Sequence, residues 1–169
     1  MTHRWLRLLQ HRRLDETDAK RLLGEGALQR IGARVSASER HHSGEIRVCI
    51  EAGLPLSYLR REAKARERAV MMFGKLRVWD TEHNNGVLIY LLLAEQAIEI
   101  VADRGLARHV GTAQWQHIAA SMRVAFQASQ FEAGLNQAID AVDTLLATHF
   151  ALAPGEANPN ELPDAPYLR

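Results

Sequence analysis

The sequence predicts an α/β fold: a three-layer α/β/α sandwich with helices on both faces of a small mixed sheet. Three observations carry that reading. Hydrophobic residues switch along the chain between helical spacing and the alternation of strands. The run VLIYLLL, Val87 to Leu93, is apolar on both of its faces, which suits a strand covered on both sides. Finally, the order helix, strand, helix, strand, strand, helix, helix puts a helical crossover between the first two strands. They are therefore parallel, with a right-handed connection, and the second and third strands form an antiparallel hairpin.

Taken in order, residues 1–13 form a basic arm in which Arg4, Arg7, Arg12 and Arg13 surround Trp5 and Leu9. A short amphipathic segment of this kind suits a membrane surface, although a frayed terminus that happens to be basic is the favoured reading. The opening MTHRWLRLLQHRRLDE has the charge of a signal peptide but lacks its apolar centre and small-residue cleavage site. No stretch approaches the ~20 apolar residues of a membrane span. A cytoplasmic location is the expectation.

Asp15 to Arg40 reads as one helix, capped by Asp15 or Thr17, with Leu28, Ile31 and Val35 on its inner face and weakened by Gly24, Gly26 and Gly32. His41 to Gly44 breaks it, and Glu45 to Glu51 alternates as a strand. A second helix runs from Pro55 to about Lys75. Leu59, Ala63, Val70 and Phe73 form its buried stripe, and Arg60, Arg61, Lys64 and Arg68 mix with Glu62 and Glu67 on a solvated face. After the polar loop VWDTEHNNG comes the buried strand, a tight turn around Ala94 to Gln96, and a half-exposed strand ending on Asp103, Arg104 and Gly105. Helices over Thr112–Ala128 and Phe131–Phe150 close the domain, the second with a stripe of Leu135, Ile139, Val142 and Leu146. The tail, residues 151–169, holds four of the five prolines and has no periodicity, so it is extended and either disordered or laid along the domain. One domain, residues 14–150, is expected.

Composition narrows the function classes. The chain has 169 residues, a formal net charge of +1 and a single cysteine, Cys49. Bulk charge argues neither for nucleic acid nor for an acidic partner, and one cysteine permits no internal disulfide and leans towards a reducing compartment. Trp5, Trp79, Trp115 and Tyr58 are scattered rather than interleaved with a basic groove, so nucleic-acid binding has no support.

The hairpin has a consequence for the polar loop. The start of one strand lies beside the end of the next, so Asn84, Asn85 and Gly86 should meet Asp103, Arg104 and Gly105 on one rim of the sheet. Parallel pairing adds Gly44 and Glu45 to the same edge. Glycines let backbone N–H groups approach a ligand, and oxygen-rich side chains suit a hard cation. Asp80, Glu82 and Asp103 are the candidate ligands for Ca²⁺ or Mg²⁺. Asp80-x-Glu82-x-Asn84 superficially resembles the start of an EF-hand loop. Asn85 stands where that loop needs glycine and Leu91 where it needs glutamate, so it is not an EF-hand.

The stretch Asn84-Asn85-Gly86-Val87-Leu88-Ile89, the hairpin, then Asp103-Arg104-Gly105-Leu106 and two closing helices resembles the TPM domain family. The likeness runs from about Leu14 to Phe150. That family includes a thylakoid-lumen protein of photosystem repair, a modulator of nematode receptors and many bacterial proteins. The resemblance implies the α/β/α sandwich, a phosphatase label taken from the plant member, and Ca²⁺ binding in some members. By position, Asn85 and Gly86 match the Asn-Gly of the family's first motif, and Gly105 the last glycine of its second. Asn84 replaces the motif's aspartate, and Asp103-Arg104 replaces its Gly-Tyr pair. Most bacterial relatives also have an export signal or membrane segment, so this chain looks like a soluble, cytosolic branch.

Other constellations read as structure. His41 and His42 with Glu45 diverge at a loop-to-strand step and suit a mobile surface pair. His109 and His117 lack the spacing of a helical zinc pair. Cys49 suits a buried strand position, and Ser121 and Ser129 have no nucleophile-elbow glycines. Two functions remain. The favoured one is a non-catalytic accessory module that docks an unknown, membrane-associated or soluble protein partner or an ion at the rim. The alternative is a divalent-metal-dependent phosphatase, with Arg104 and the Asn85-Gly86 backbone taking phosphate oxygens.

Overall fold

A computed structural model describes the backbone from Thr2 to Arg169 and the side chains from Trp5 onward; the side chain of Arg4, part of the expected basic arm, lies outside the described residues. The chain runs α1 (Thr2–Arg13), α2 (Glu16–Leu23), α3 (Ala27–Ser38), β1 (Ile46–Glu51), α4 (Leu56–Arg60), α5 (Ala65–Lys75), β2 (Val87–Leu92), β3 (Ala97–Ala102), α6 (Arg104–Ala107), α7 (Thr112–Gln127), α8 (Phe131–His149) and β4 (Tyr167–Leu168). The sheet order is β3-β2-β1-β4. β1 pairs parallel with β2 from Ile46–Val87 onward, and β2 pairs antiparallel with β3 from Val87–Ala102. This is the expected mixed α/β/α sandwich.

The central strand decides the layering. Val87 to Leu92 is fully buried because both of its faces carry apolar side chains and both are covered. On one face Val87, Ile89 and Leu91 join Ile46, Val48 and Ile50 against α2, α3, α7 and α8, where Ile31, Val35, Leu135, Ile139, Val142 and Leu146 pack. On the other, Leu88, Tyr90 and Leu92 join Cys49 against α4 and α5 through Leu59, Ala69 and Met72. At about 25 cal/mol per Å² of apolar area removed from water, these two layers hold the fold together.

Several elements differ from the sequence expectation. The first long helix is two, α2 and α3, because Gly24 and Gly26 take positive φ values of 93° and 70°. Asp15 does cap α2, its carboxylate accepting the Asp18 N–H. The second long helix also breaks, at Glu62, whose φ is 56°. Helical phase is therefore reset at Lys64, and the stripe of α5 that faces inward is Ala65, Arg68, Ala69 and Met72. Val70, expected inside, is 50% exposed. Arg68, expected on the solvated face, is 3% exposed. A buried charge needs a partner, and Glu51 provides it, receiving the guanidinium in a bidentate pair with Nε–Oε2 at 2.6 Å.

The termini are docked rather than loose. α1 is anchored by side chains: Arg7 donates to Glu95 and to the Ala63 carbonyl at 2.7 Å each, and buried His11 accepts the Leu54 N–H at 3.0 Å. The tail returns along β1 as a fourth strand, Tyr167 opposite Cys49 and Leu168 opposite Ile50. His42 is not a surface residue. It is wholly buried, its Nδ1 donating to the Gly44 carbonyl at 3.0 Å and its Nε2 standing 3.3 Å from Asp143. Burial holds this imidazole below its ordinary pKa despite the carboxylate.

Candidate functional site

The rim is built by a loop that turns back on its own backbone. Arg77 leaves α5 in the left-handed region (φ 57°), and Asn84 takes the same conformation (φ 53°), which asparagine tolerates better than most residues. Between them the buried Thr81 hydroxyl accepts the Asn85 N–H at 3.1 Å. The chain then enters β2 through Gly86, which lies so close to the start of the loop that a Cβ there would sit 2.0 Å from the Val78 carbonyl oxygen. Gly105 closes the other side: its Cβ would stand 2.4 Å from the Asn84 carbonyl and 2.6 Å from that of His83. The glycines of both motifs thus serve the approach of two backbones.

Hydrogen bonds complete the closure. The Asp103 N–H donates to the Gly86 carbonyl at 2.9 Å, and the Gly105 N–H to the Asn84 carbonyl at 2.8 Å. The Val87 N–H donates to the Glu45 carbonyl at 2.8 Å. Asp103 accepts the Arg104 N–H at 2.7 Å, and the Arg104 Nε reaches the Asn84 side-chain oxygen at 3.2 Å. Asn85 is wholly buried and donates to the Ser43 hydroxyl at 3.3 Å. Asn84, Asn85, Gly86, Asp103, Arg104 and Gly105 are therefore adjacent, with Gly44 and Glu45 beside them.

Asp80 and Glu82 do not join them in one ligand shell. The Asp80 carboxylate pairs with the Arg77 guanidinium, and Glu82 is exposed, its N–H donating to Glu161 at 3.0 Å. Three oxygens at the rim are buried without a hydrogen-bond partner, Asp103 Oδ2, Asn85 Oδ1 and Glu45 Oε1. Against that, among the described residues no group of three or more histidine, cysteine, aspartate or glutamate side chains is disposed to hold a metal ion. Ca²⁺ takes six to eight oxygens, more than these side chains offer, so backbone carbonyls and water would have to complete a cation's shell here.

The tail supplies rim residues that sequence reasoning missed. Asn158 donates to the His42 and Gly44 carbonyls at 2.9 and 3.1 Å, and the Leu162 N–H donates to Glu45 at 3.0 Å. Arg47 donates to the Pro163 and Ala165 carbonyls. Beneath this strap lies a set of acids. Glu39, 4% exposed, has its carboxyl pushed up to about 8, first by burial and then by the negative charges of Glu45 and Asp164, against the Ile46 N–H that it accepts. Burial raises Glu45 in the same direction. The only sequence signal for any of this was that the tail is rich in proline and short of periodicity, which says nothing of where it lands.

As a reactive group Cys49 is closed off: buried mid-strand, its thiol is pushed up to about 12 by desolvation and by the Glu51 charge beside it. The Ser43 hydroxyl has the Asn85 amide as a donor rather than a base beside it. The rim is a polar corner closed by hydrogen bonds among its own groups.

Comparison with known proteins agrees with this architecture. The family model of the TPM domain matches residues 17–145. Among solved structures, the chain is similar to the BA42 protein of the psychrophilic bacterium Bizionia argentinensis, determined by NMR, with 25% identity and a TM-score of 0.74 over 86% of this chain and 94% of that one. No match was found among curated proteins.

Proposed function

The chain belongs to the TPM domain family, and from that premise we propose that it is a non-catalytic accessory module whose rim docks a protein partner. One observation carries the reading. The motif groups are spent on each other, Gly86 with Asp103, Asn84 with Gly105 and Arg104, so the corner is rigid while Arg104, His83 and Glu82 remain exposed around it. A preorganised corner presenting mixed charge favours recognition, because little conformational freedom is lost on binding. A hydrolase would instead need an activated nucleophile or a metal-bound water.

The family label names a phosphatase, and the unpartnered Asp103 oxygen favours a cation-dependent variant of this site as the second reading. Both are tested by melting the protein with Ca²⁺, Mg²⁺ or Mn²⁺. Binding to the native state alone raises stability by RT ln(1 + [L]/Kd). The module reading expects hydrolysis of a generic aryl phosphate to be absent with every ion. It also expects a photocrosslinker at Arg104 to capture a protein from the native cell extract that the same group at Arg40 does not. A melting-temperature rise that Asp103→Asn abolishes would establish the cation. Ion-dependent hydrolysis lost in that variant would overturn the module in favour of the phosphatase. No shift with millimolar ions removes the cation and the phosphatase together.

A further inference from the structure

The far end of the sheet carries a helix whose polarity is inverted. α1 turns its polar groups inward. Arg7 meets Glu95 and the Ala63 carbonyl, Gln10 donates to the Ala94 carbonyl, and His11, wholly buried in its side chain, stands 2.9 Å from Glu95. The backbone is seated as well, since a Cβ on Gly53 would meet the His11 carbonyl at 2.5 Å. Leu8 packs inward against the core, but the other apolar residues are left outside: Trp5 is 66% exposed, Leu6 62% and Leu9 52%, with Leu22 of α2 beside them at 43%. Below them opens a cavity of about 570 Å³ lined in part by Leu6, Leu9, Leu14, Leu22, Leu93 and Phe131.

A helix pinned by its polar face and bare on its apolar face is built to be covered, and its charge selects the cover. No aspartate or glutamate precedes Asp15 in the sequence, whereas Arg12 and Arg13 flank the apolar residues from the exposed last turn of α1. Apolar side chains bordered by arginines match the boundary between acyl chains and anionic headgroups, and arginine stems can lie along the apolar layer while their heads stay with phosphate. A second copy of the chain fits less well. The largest apolar patch on a typical monomer covers about 300–600 Å², whereas a stable dimer buries ~800 Å² on each partner. We propose that α1 seats this protein on an anionic lipid surface as a peripheral anchor. None of the described helices is long and apolar enough to cross a membrane. This surface is separate from the rim, which lies at the other end of β2, six residues or roughly 20 Å away.

The test is sedimentation of the full chain with phosphatidylcholine vesicles, with and without phosphatidylglycerol. Binding is expected with phosphatidylglycerol, weakened by salt, and absent with phosphatidylcholine alone. Leu6→Glu with Leu9→Glu should lower the partition coefficient by more than about tenfold, and Arg12→Glu with Arg13→Glu by more than about thirtyfold. Because these positions are exposed, the melting temperature should hold in both variants, which separates lost binding from misfolding. Brominated lipid should quench tryptophan fluorescence, and Trp5→Phe should remove that quenching while Trp79→Phe keeps it. Failure to sediment with phosphatidylglycerol, or sedimentation indifferent to the Leu6 and Leu9 changes, overturns the proposal. Equal binding to neutral vesicles does so too. A concentration-dependent dimer that Leu6→Glu with Leu9→Glu dissolves would overturn it in favour of a second copy.

Discussion

At the start of β2 the chain is held by backbone, and at its end by charged side chains. The rim closes through main-chain bonds such as Gly105 N–H to Asn84 and Asp103 N–H to Gly86, with glycines where two backbones nearly touch. Close to it the acids Glu39 and Glu45 face Asp164 of the tail, acid beside acid, with Glu39 holding its proton to about pH 8. The far end is built from opposites. Glu51 takes the Arg68 guanidinium and the Tyr90 hydroxyl at 2.8 Å, and Glu95 takes Arg7 and His11. The difference teaches that a steric closure and an electrostatic one fail in different ways: the first when an atom is added, the second when a partner or a proton is removed.

The largest effect should come from breaking the far end. Arg68→Ala leaves Glu51, wholly buried, with only the half-exposed Arg169 at 3.9 Å as a counter-charge, and losing a bidentate buried partner costs about 3 kcal/mol. Guanidinium denaturation measures it, and a cost below about 1 kcal/mol would mean that the pair does not hold this end. Replacing the whole buried set, Arg68→Met with Glu51→Leu and Tyr90→Phe, should recover much of the loss, because apolar side chains carry no desolvation penalty and no hydroxyl is left unpaired.

Next comes pH at the rim end. Glu39 is held near 8 in the fold, against 4.5 ordinarily, first of all by burial. Between those values the unfolded chain has given up a proton that the folded one keeps, so stability falls as pH rises through that window and levels off above it. The expected loss is on the order of a few kcal/mol. Glu39→Gln should flatten the slope in melts taken across the window. A wild-type slope unchanged by that variant would detach the effect from Glu39.

The smallest effect tests the steric closure. Gly86→Ala forces a methyl against the Val78 carbonyl and should cost about 1–3 kcal/mol. Gly74→Ala is its opposite: nothing lies within 4 Å of that position in α5, and a helical alanine should stabilise by roughly 0.5–1 kcal/mol. If the two variants melt alike, close approach is not why glycine stands at the rim.

Much of the rim end was legible because its signals are local. An apolar run from Val87 to Leu92, short and bounded by turn residues, reads as a covered strand, and the register of the hairpin brings Asn84 beside Arg104. The far end was not. Arg68 was expected on the solvated face because helical phase was carried from Pro55 through Glu62, where the backbone in fact turns left-handed. Its partner Glu51 lies 17 residues away, and no spacing rule pairs an arginine with a carboxylate in another element. His42 failed for the same reason, since Asp143 reaches it from α8.

By itself the sequence determined the α/β/α class, the hairpin and the adjacency of its two motifs, because periodicity and turn chemistry act over a few residues. Only the tertiary structure decided which charges are buried, where the tail lies and which way α1 faces. Glu51, Glu95, Glu39 and Asn158 meet partners distant in the chain. The free energy of a buried charge depends on what stands opposite it in space, and that is a property of the packed molecule.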